Sequence, residues 1–243
     1  IVGVKHVGHQ PRALAIDADA AALYVGVDWE GRLDKYSLAD WSKQWSYTFD
    51  LIFGDQLTAG EIEAVPGQPD AVAVSRLWAG VGFSPRGVMA IEGGVARAAV
   101  TTIGSESIEF GADGTTLYGS DLGRGPFYVH SIAAGGVTEQ QNIGGLGGGE
   151  LEYLDGYLYQ SLGKILDVRG ATPIQVGTLP AACAVAADPT GASIYYTTFH
   201  YRQTPTLDEY DVGTRTLVAQ WPLTGETTCA QGLVTAGPHR FAY

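Results

Sequence analysis

One short pattern recurs along the chain and constrains its fold more than any other feature. Leu14-Ala15-Ile16-Asp17-Ala18-Asp19-Ala20 runs into Leu23-Tyr24-Val25-Gly26-Val27, and Ile108-Glu109-Phe110-Gly111-Ala112-Asp113-Gly114 runs into Leu117-Tyr118-Gly119. Val185-Ala186-Ala187-Asp188-Pro189-Thr190-Gly191 runs into Ile194-Tyr195-Tyr196. Weaker copies are Ile62-Glu63-Ala64-Val65-Pro66-Gly67 before Ala71-Val72-Ala73-Val74, and Leu151-Glu152-Tyr153 before Tyr157-Leu158-Tyr159. A last partial copy, Gly232-Leu233-Val234-Thr235, precedes Arg240-Phe241-Ala242-Tyr243. Each copy reads as strand, tight turn, strand, because Gly, Asp and Pro punctuate turns while aromatic and branched residues suit strands.

Two further strands follow the hairpin in the complete copies, as at 32–38 with 44–49 and 207–212 with 216–221. Glu61, Glu106 and Glu150 open successive copies, 45 and 44 residues apart. Four strands in such a period make one blade of a β-propeller, and no helical periodicity of useful length competes with it. The composition agrees, with 34 Gly and 11 Pro for turns and 13 Tyr for strands. Six hairpins are present, and the sixth lacks its two outer strands. The segment 1–8 reads as an orphan outer strand, and a closed ring leaves no sheet edge exposed. The expectation is an all-β, single β-propeller domain over 1–243, with six four-stranded blades closed by the N-terminal strand. A segment of a seven-bladed parent is the alternative.

Lys and Arg number 14 against 26 Asp and Glu, a net charge of −12. Nucleic-acid binding draws most of its affinity from a basic footprint, so that partner class is excluded, as are anionic membrane surfaces. No run of 18 apolar residues is present, which excludes a helical membrane span. The start, Ile1-Val2-Gly3, carries no Met and suggests a mature or excised segment. It matches the start of an activated trypsin-like protease, but no Gly-Asp-Ser-Gly-Gly follows. Cys183 and Cys229 occupy corresponding regions of neighbouring repeats. A disulfide between them suits an exported protein, and two buried thiols suit a cytosolic one.

The pattern apolar-Ala-x-x-Pro-x-Gly followed by Leu or Ile and Tyr resembles the YVTN-type bacterial propellers, in a wider group with NHL-repeat and gluconolactonase-like propellers. The resemblance covers nearly the whole chain but rests on scaffold residues, so it implies fold rather than function. It implies that the first strand of each blade lines a central channel, and that strand-entry loops share a face with the loops between second and third strands. It also implies a secreted or periplasmic location.

That geometry would gather two constellations. Glu63, Glu109 and Glu152 hold the same repeat position in three successive copies, just after Glu61, Glu106 and Glu150. Converging carboxylates repel unless a cation or a proton intervenes, and Ca²⁺ is the candidate cofactor for hard oxygen ligands. The competing reading is that each Glu accepts backbone N–H groups or pairs with an Arg. Gluconolactonase-like propellers hold a divalent metal with Glu, Asn and Asp, whereas the only Asn here, Asn142, does not sit at a strand entry. The second constellation, Trp29, Arg76, Trp78, Arg124, Phe199, His200, Tyr201 and Arg202, offers flat apolar faces beside hydrogen-bonding groups, which suits a glycan, peptide or protein ligand. The competing reading wedges the Trp rings between blades.

No catalytic residue emerges. Gly82-Phe83-Ser84-Pro85-Arg86 lacks the final Gly of a nucleophile elbow, and Gly145-Leu146-Gly147-Gly148-Gly149 sits in no βαβ unit. The leading functional expectation is an extracytoplasmic binding module. The alternatives are a metal-dependent hydrolase or lactonase using Glu109 or Glu152, and an interaction domain of a larger surface protein.

Overall fold

A computed structural model describes residues 5–17, 19, 21–78, 84–121, 125–180, 183–188, 190–198, 204–223, 233–235 and 241–242. The chain divides into two compact units, Ile1–Gly147 and Gly148–Tyr243. The first unit holds three antiparallel sheets. One is β1 (Pro11–Ile16), β2 (Ala22–Val27), β3 (Arg32–Ser37) and β4 (Lys43–Thr48), hydrogen-bonded in sequence order. The next is β5 (Leu51–Ile52), β6 (Asp55–Ala64), β7 (Ala71–Trp78), β8 (Ser84–Glu92) and β9 (Val95–Ala96). The third is β10 (Ser107–Phe110), β11 (Thr116–Ser120), β12 (Phe127–Ala133) and β13 (Gly136–Ile143).

The second unit holds a sheet of β14 (Leu151–Leu154), β15 (Tyr157–Gln160), β16 (Lys164–Asp167) and β17 (Ile174–Thr178). Another follows with β18 (Ala184–Ala187), β19 (Ser193–Thr198), β20 (Thr206–Asp211) and β21 (Leu217–Pro222), and a hairpin of β22 (Val234–Thr235) and β23 (Phe241–Ala242) comes last. Each of the six repeat hairpins pairs as an antiparallel ladder. Val4 and the residues before it lie outside the described residues, so the expected closing strand is described only from Lys5 onward. That part forms no strand: Arg32 Nη2 donates to the Val7 carbonyl at 3.2 Å, and Val7 packs on Val25, Val27 and Tyr36 of the first sheet. No helix among the described residues is long and apolar enough to cross a membrane.

The repeat residues do their work at the turns and seams. Asp17 Oδ1 accepts the N–H groups of Ala21 and Ala22 at 2.7 and 2.9 Å, and Asp113 Oδ1 accepts those of Thr115 and Thr116, both at 2.9 Å. Each Asp thus closes the turn with its own carboxylate, as short acidic side chains do. Strand alternation then buries both faces of the middle sheet. Val72, Val74, Met89 and Ile91 pack with Tyr24, Leu33 and Ile62 in one core, while Ala71, Ala73, Val88 and Ala90 pack with Ile108, Phe110, Leu117 and Ile132 in another. Small side chains on one face receive large ones from the neighbour, which is how stacked sheets reach interior density. In the second unit Tyr159, Ile165, Val185, Ile194, Tyr196 and Tyr210 form the equivalent core.

A polar clamp ties the first sheet to the turn before β7. Tyr24 OH donates to the Pro69 carbonyl at 3.1 Å, Lys35 Nζ donates to the same carbonyl at 2.9 Å and to Asp70 Oδ1 at 2.8 Å, and Trp45 Nε1 donates to Asp70 Oδ1 at 2.9 Å. The Lys35 ammonium is buried while Asp70 is half exposed. Removing the carboxylate leaves the buried cation with the Pro69 carbonyl and Tyr24 and no counter-charge. Asp70→Ala is therefore expected to cost about 2 kcal/mol in urea unfolding followed by tryptophan fluorescence; a loss below about 0.5 kcal/mol would show that the clamp contributes little.

Candidate functional site

The β5–β6 hairpin pairs Ile52 with Asp55 around a two-residue turn whose tip projects into solvent. Its turn residues, Phe53 and Gly54, have φ of 52° and 87°, the pattern of a two-residue type I′ turn. Such a turn favours Asn, Asp or Gly at both positions. Here the first is a Phe that is 93% exposed, with Leu51 exposed beside it. Asp50 and Asp55, both exposed, bracket this apolar tip.

Two expected site residues flank the protrusion. Trp29 lies in a single 3-10 turn, Asp28–Glu30, and is 76% exposed. Gly31, which follows that turn, has φ of 51°, and a Cβ there would fall 2.1 Å from the Gln56 side chain, so only glycine lets the turn sit against the base of the hairpin. On the other side Trp78 Nε1 donates to Asp55 Oδ2 at 3.1 Å, and the Arg86 guanidinium covers the Trp78 ring 4.9 Å from its centroid. Arg76 is held rather than free: its Nη2 donates to the carbonyls of Arg86 and Thr101 at 2.6 and 2.5 Å, and its buried Nε has no hydrogen-bond partner among the described residues. Burial lowers its pKa below the ordinary arginine value, opposed by Tyr47 and Asp50. Trp78 thus touches the hairpin through Asp55, the turn that carries Trp29 rests on Gln56, and Arg76 is turned to Arg86 and Thr101. Arg124, His200, Tyr201 and Arg202, with Phe199, lie outside the described residues.

The acidic constellation is distributed differently. Glu63, Glu109 and Glu152 stand opposite Ala73, Tyr118 and Tyr159, the same register step of three first strands. The carboxylate of Glu61 accepts the N–H of Ile108, and that of Glu152 accepts a backbone hydrogen bond from Ala187, so each reaches the first strand of the following sheet. Among the described residues no three His, Cys, Asp or Glu side chains form a metal-holding group. Burial pushes Glu152 up to about 7, opposed by the Ala187 bond.

A Ser–His contact is present as well. Ser105 Oγ lies 3.0 Å from His130 Nε2, the Ser105 N–H donates to Asp121 Oδ1 at 3.0 Å, and Ser105 has φ of 64°. Both side chains are fully buried, and burial pulls His130 down to about 4, leaving it neutral at pH 7. The contact ties the loop entering β10 to β12. Cys183 is disulfide-bonded, and Cys229 lies outside the described residues. Sequence reasoning missed Phe53, Leu51 and Arg86. The available signal was the stretch Asp50-Leu51-Ile52-Phe53-Gly54-Asp55, an apolar tip between two acids with a Gly where a hairpin turns.

No family model matches the chain, and no curated protein sequence matches it. Solved structures do. The β-propeller domain of Cps50 (Swd1) from Myceliophteria thermophila aligns with a TM-score of 0.65 at 11% identity, over 92% of this chain and 75% of that one. Hydrazine synthase from Kuenenia stuttgartiensis aligns at 0.61 and 16% identity, over 93% and 77%. A candidate 6-phosphogluconolactonase from Bacteroides fragilis aligns at 0.59 and 10% identity, over 86% and 70%. At these identities the likeness defines the fold, which is that of the β-propeller proteins.

Phe53→Asn replaces an exposed aromatic in a left-handed turn by the residue that turn prefers. Stability is expected to be unchanged or to rise by about 0.5–1 kcal/mol in denaturant unfolding. A loss above 1 kcal/mol would assign Phe53 to packing instead. A second measurement concerns Glu152. Its folded pKa is raised, so its protonated form is favoured in the native state; that stability is present below about 4.5 and lost as pH rises through about 7. Glu152→Gln is therefore expected to gain roughly 1–3 kcal/mol over the wild type at pH 8 compared with pH 5. A variant whose difference from wild type does not change with pH would contradict the burial.

Proposed function

We propose that the chain is an extracytoplasmic β-propeller recognition module that binds a peptide or protein partner through the face around the Asp50–Asp55 hairpin, with glycan recognition by the same Trp rings as the second reading. The single observation that carries it is Phe53, a fully projecting aromatic held in a turn whose geometry disfavours it. An exposed Phe in left-handed backbone stabilises nothing within the fold, and strained or exposed apolar groups concentrate where a partner contributes the missing contacts. Trp29 and Trp78, with Arg86 over the Trp78 ring, are of the residue types that dominate binding hot spots. The convex shape favours a partner with a pocket, and the flanking Asp50 and Asp55 favour a basic rim on it.

We further propose that the six hairpins are six blades of one propeller domain over 1–243, in keeping with the propeller neighbours that align along most of the chain. The disulfide at Cys183 supports export, because such bonds persist in oxidising compartments. The test is selection of ligands from a random peptide library and a glycan array, followed by titration against variants. Phe53→Asn and Trp29→Ala are each expected to weaken the selected ligand at least about tenfold, with Glu152→Gln unchanged. Ligands that bind all four proteins alike would move the site elsewhere.

A further inference from the structure

A second site is formed by the segment before β1 together with β3 and β4. An open cavity of about 390 Å³ is lined by Lys5, His6, Val7, Gly8, Arg32, Tyr36 and Lys43. The chain has only four lysines, Lys5, Lys35, Lys43 and Lys164, and two of them line this one cavity in a protein of net charge −12. Their ammonium groups approach the same aromatic ring, Lys5 Nζ at 5.8 Å and Lys43 Nζ at 5.7 Å from the Tyr36 centroid. Like charges gathered in one concavity repel unless an anion joins them.

The nearby carboxylates are already committed. Asp34 is fully buried; its Oδ1 meets Arg32 Nε at 2.8 Å and Ser46 Oγ at 2.5 Å, and its Oδ2 meets Lys43 Nζ at 2.8 Å and Tyr36 OH at 3.1 Å. Glu30 is engaged by Arg32 and by the His9 N–H. Lys5 Nζ has no carboxylate partner among the described residues and stands over the Tyr36 ring. Three side-chain cations therefore face the two carboxylates of Asp34 and Glu30, leaving one unmatched positive charge with the His6 ring beside it.

We infer that this cavity binds a tetrahedral oxyanion, a phosphate or sulfate group, either free or carried on a small organic molecule. The choice follows from the donors. The Arg32 guanidinium, which would suit a carboxylate, already binds Glu30 and the Val7 carbonyl and stands 2.8 Å from Asp34. What remains is the Lys5 ammonium, the donors that Lys43 Nζ keeps beyond its bond to Asp34, and the His6 ring, approaching separately, an arrangement that serves a tetrahedral anion. The volume leaves room for an organic substituent beyond the anion.

Calorimetric titration of the whole chain with inorganic phosphate and with glycerol 3-phosphate, at low ionic strength, tests the assignment. One saturable site is expected, weakened by added NaCl. Lys5→Gln, which breaks no ion pair, should weaken binding roughly three- to tenfold, Lys43→Gln at least as much, and Arg169→Gln, an exposed cation outside the cavity, not at all. Tighter binding of glycerol 3-phosphate would assign an organic phosphate, and equal affinities would assign the free anion. Absence of saturable binding, or an equal loss in Lys5→Gln and Arg169→Gln, would overturn the site.

Discussion

Two-faced burial of the second sheet is the constraint on which the first unit depends. Strand β7 points Val72 and Val74 into one core and Ala71 and Ala73 into the other, so it cannot be satisfied by a single neighbour. A sheet with one wet face would need alternating polar residues, and here every side chain from Ala71 to Ser75 is buried. Stacked antiparallel sheets follow from that pattern alone, because each face must find an apolar partner about 10 Å away. The hydroxyls and carboxylates that reach across the seam serve the same end. Ser75 Oγ accepts the Glu61 N–H and donates to the Glu106 carbonyl, both at 2.8 Å, and the Glu61 carboxylate takes the N–H of Ile108. Backbone groups at the start of a sheet are thereby paired with the neighbouring sheet instead of with water.

Much of this was legible in the sequence. Tyr24, Tyr118, Tyr159 and Tyr195 mark second strands because a repeat position that must fill a seam selects a large residue with a polar tip, and all four are buried. The Asp and Gly of each turn were legible for the same reason: their role is local. Site residues were less so. Arg76 reads as a rim guanidinium in sequence, yet its partners are carbonyls of Arg86 and Thr101, 10 and 25 residues on, which no local pattern encodes. Glu152 reads as an inner-strand carboxylate, and its bond to Ala187 on β18 is one that no local pattern encodes. Phe53 was hidden by its neighbours, since Leu51-Ile52-Phe53 reads as an apolar strand that ought to be buried. Only the turn geometry turns that run outward.

The contrast between Phe53 and the repeat tyrosines separates scaffold from surface. A scaffold aromatic buys its place by filling a seam, and its backbone is ordinary extended strand. Phe53 fills no seam, occupies a backbone region that costs a non-glycine residue of order 1 kcal/mol, and leaves its ring in water. Trp29 is similar in exposure, but its 3-10 turn is anchored by Gly31 against Gln56, which fixes where the ring stands. Rigid presentation of this kind lowers the ordering cost on association, because two-angle aromatic side chains on a fixed turn lose little freedom when covered.

Electrostatics divides the surface of the first unit in the same sense. Acidic residues dominate the chain, and the hairpin tip is bracketed by Asp50 and Asp55, so a partner approaching that end meets negative charge around an apolar centre. At the Lys5–Lys43 cavity the sign reverses, and it does so although Asp34 spends all of its capacity neutralising Arg32 and Lys43. Opposite local fields on an otherwise acidic body make the two places selective for different chemistry. An anion repelled by the hairpin rim is attracted at the cavity, and a cationic partner is steered the other way. At physiological ionic strength charges act over roughly 8 Å, so each field is strongest at its own site.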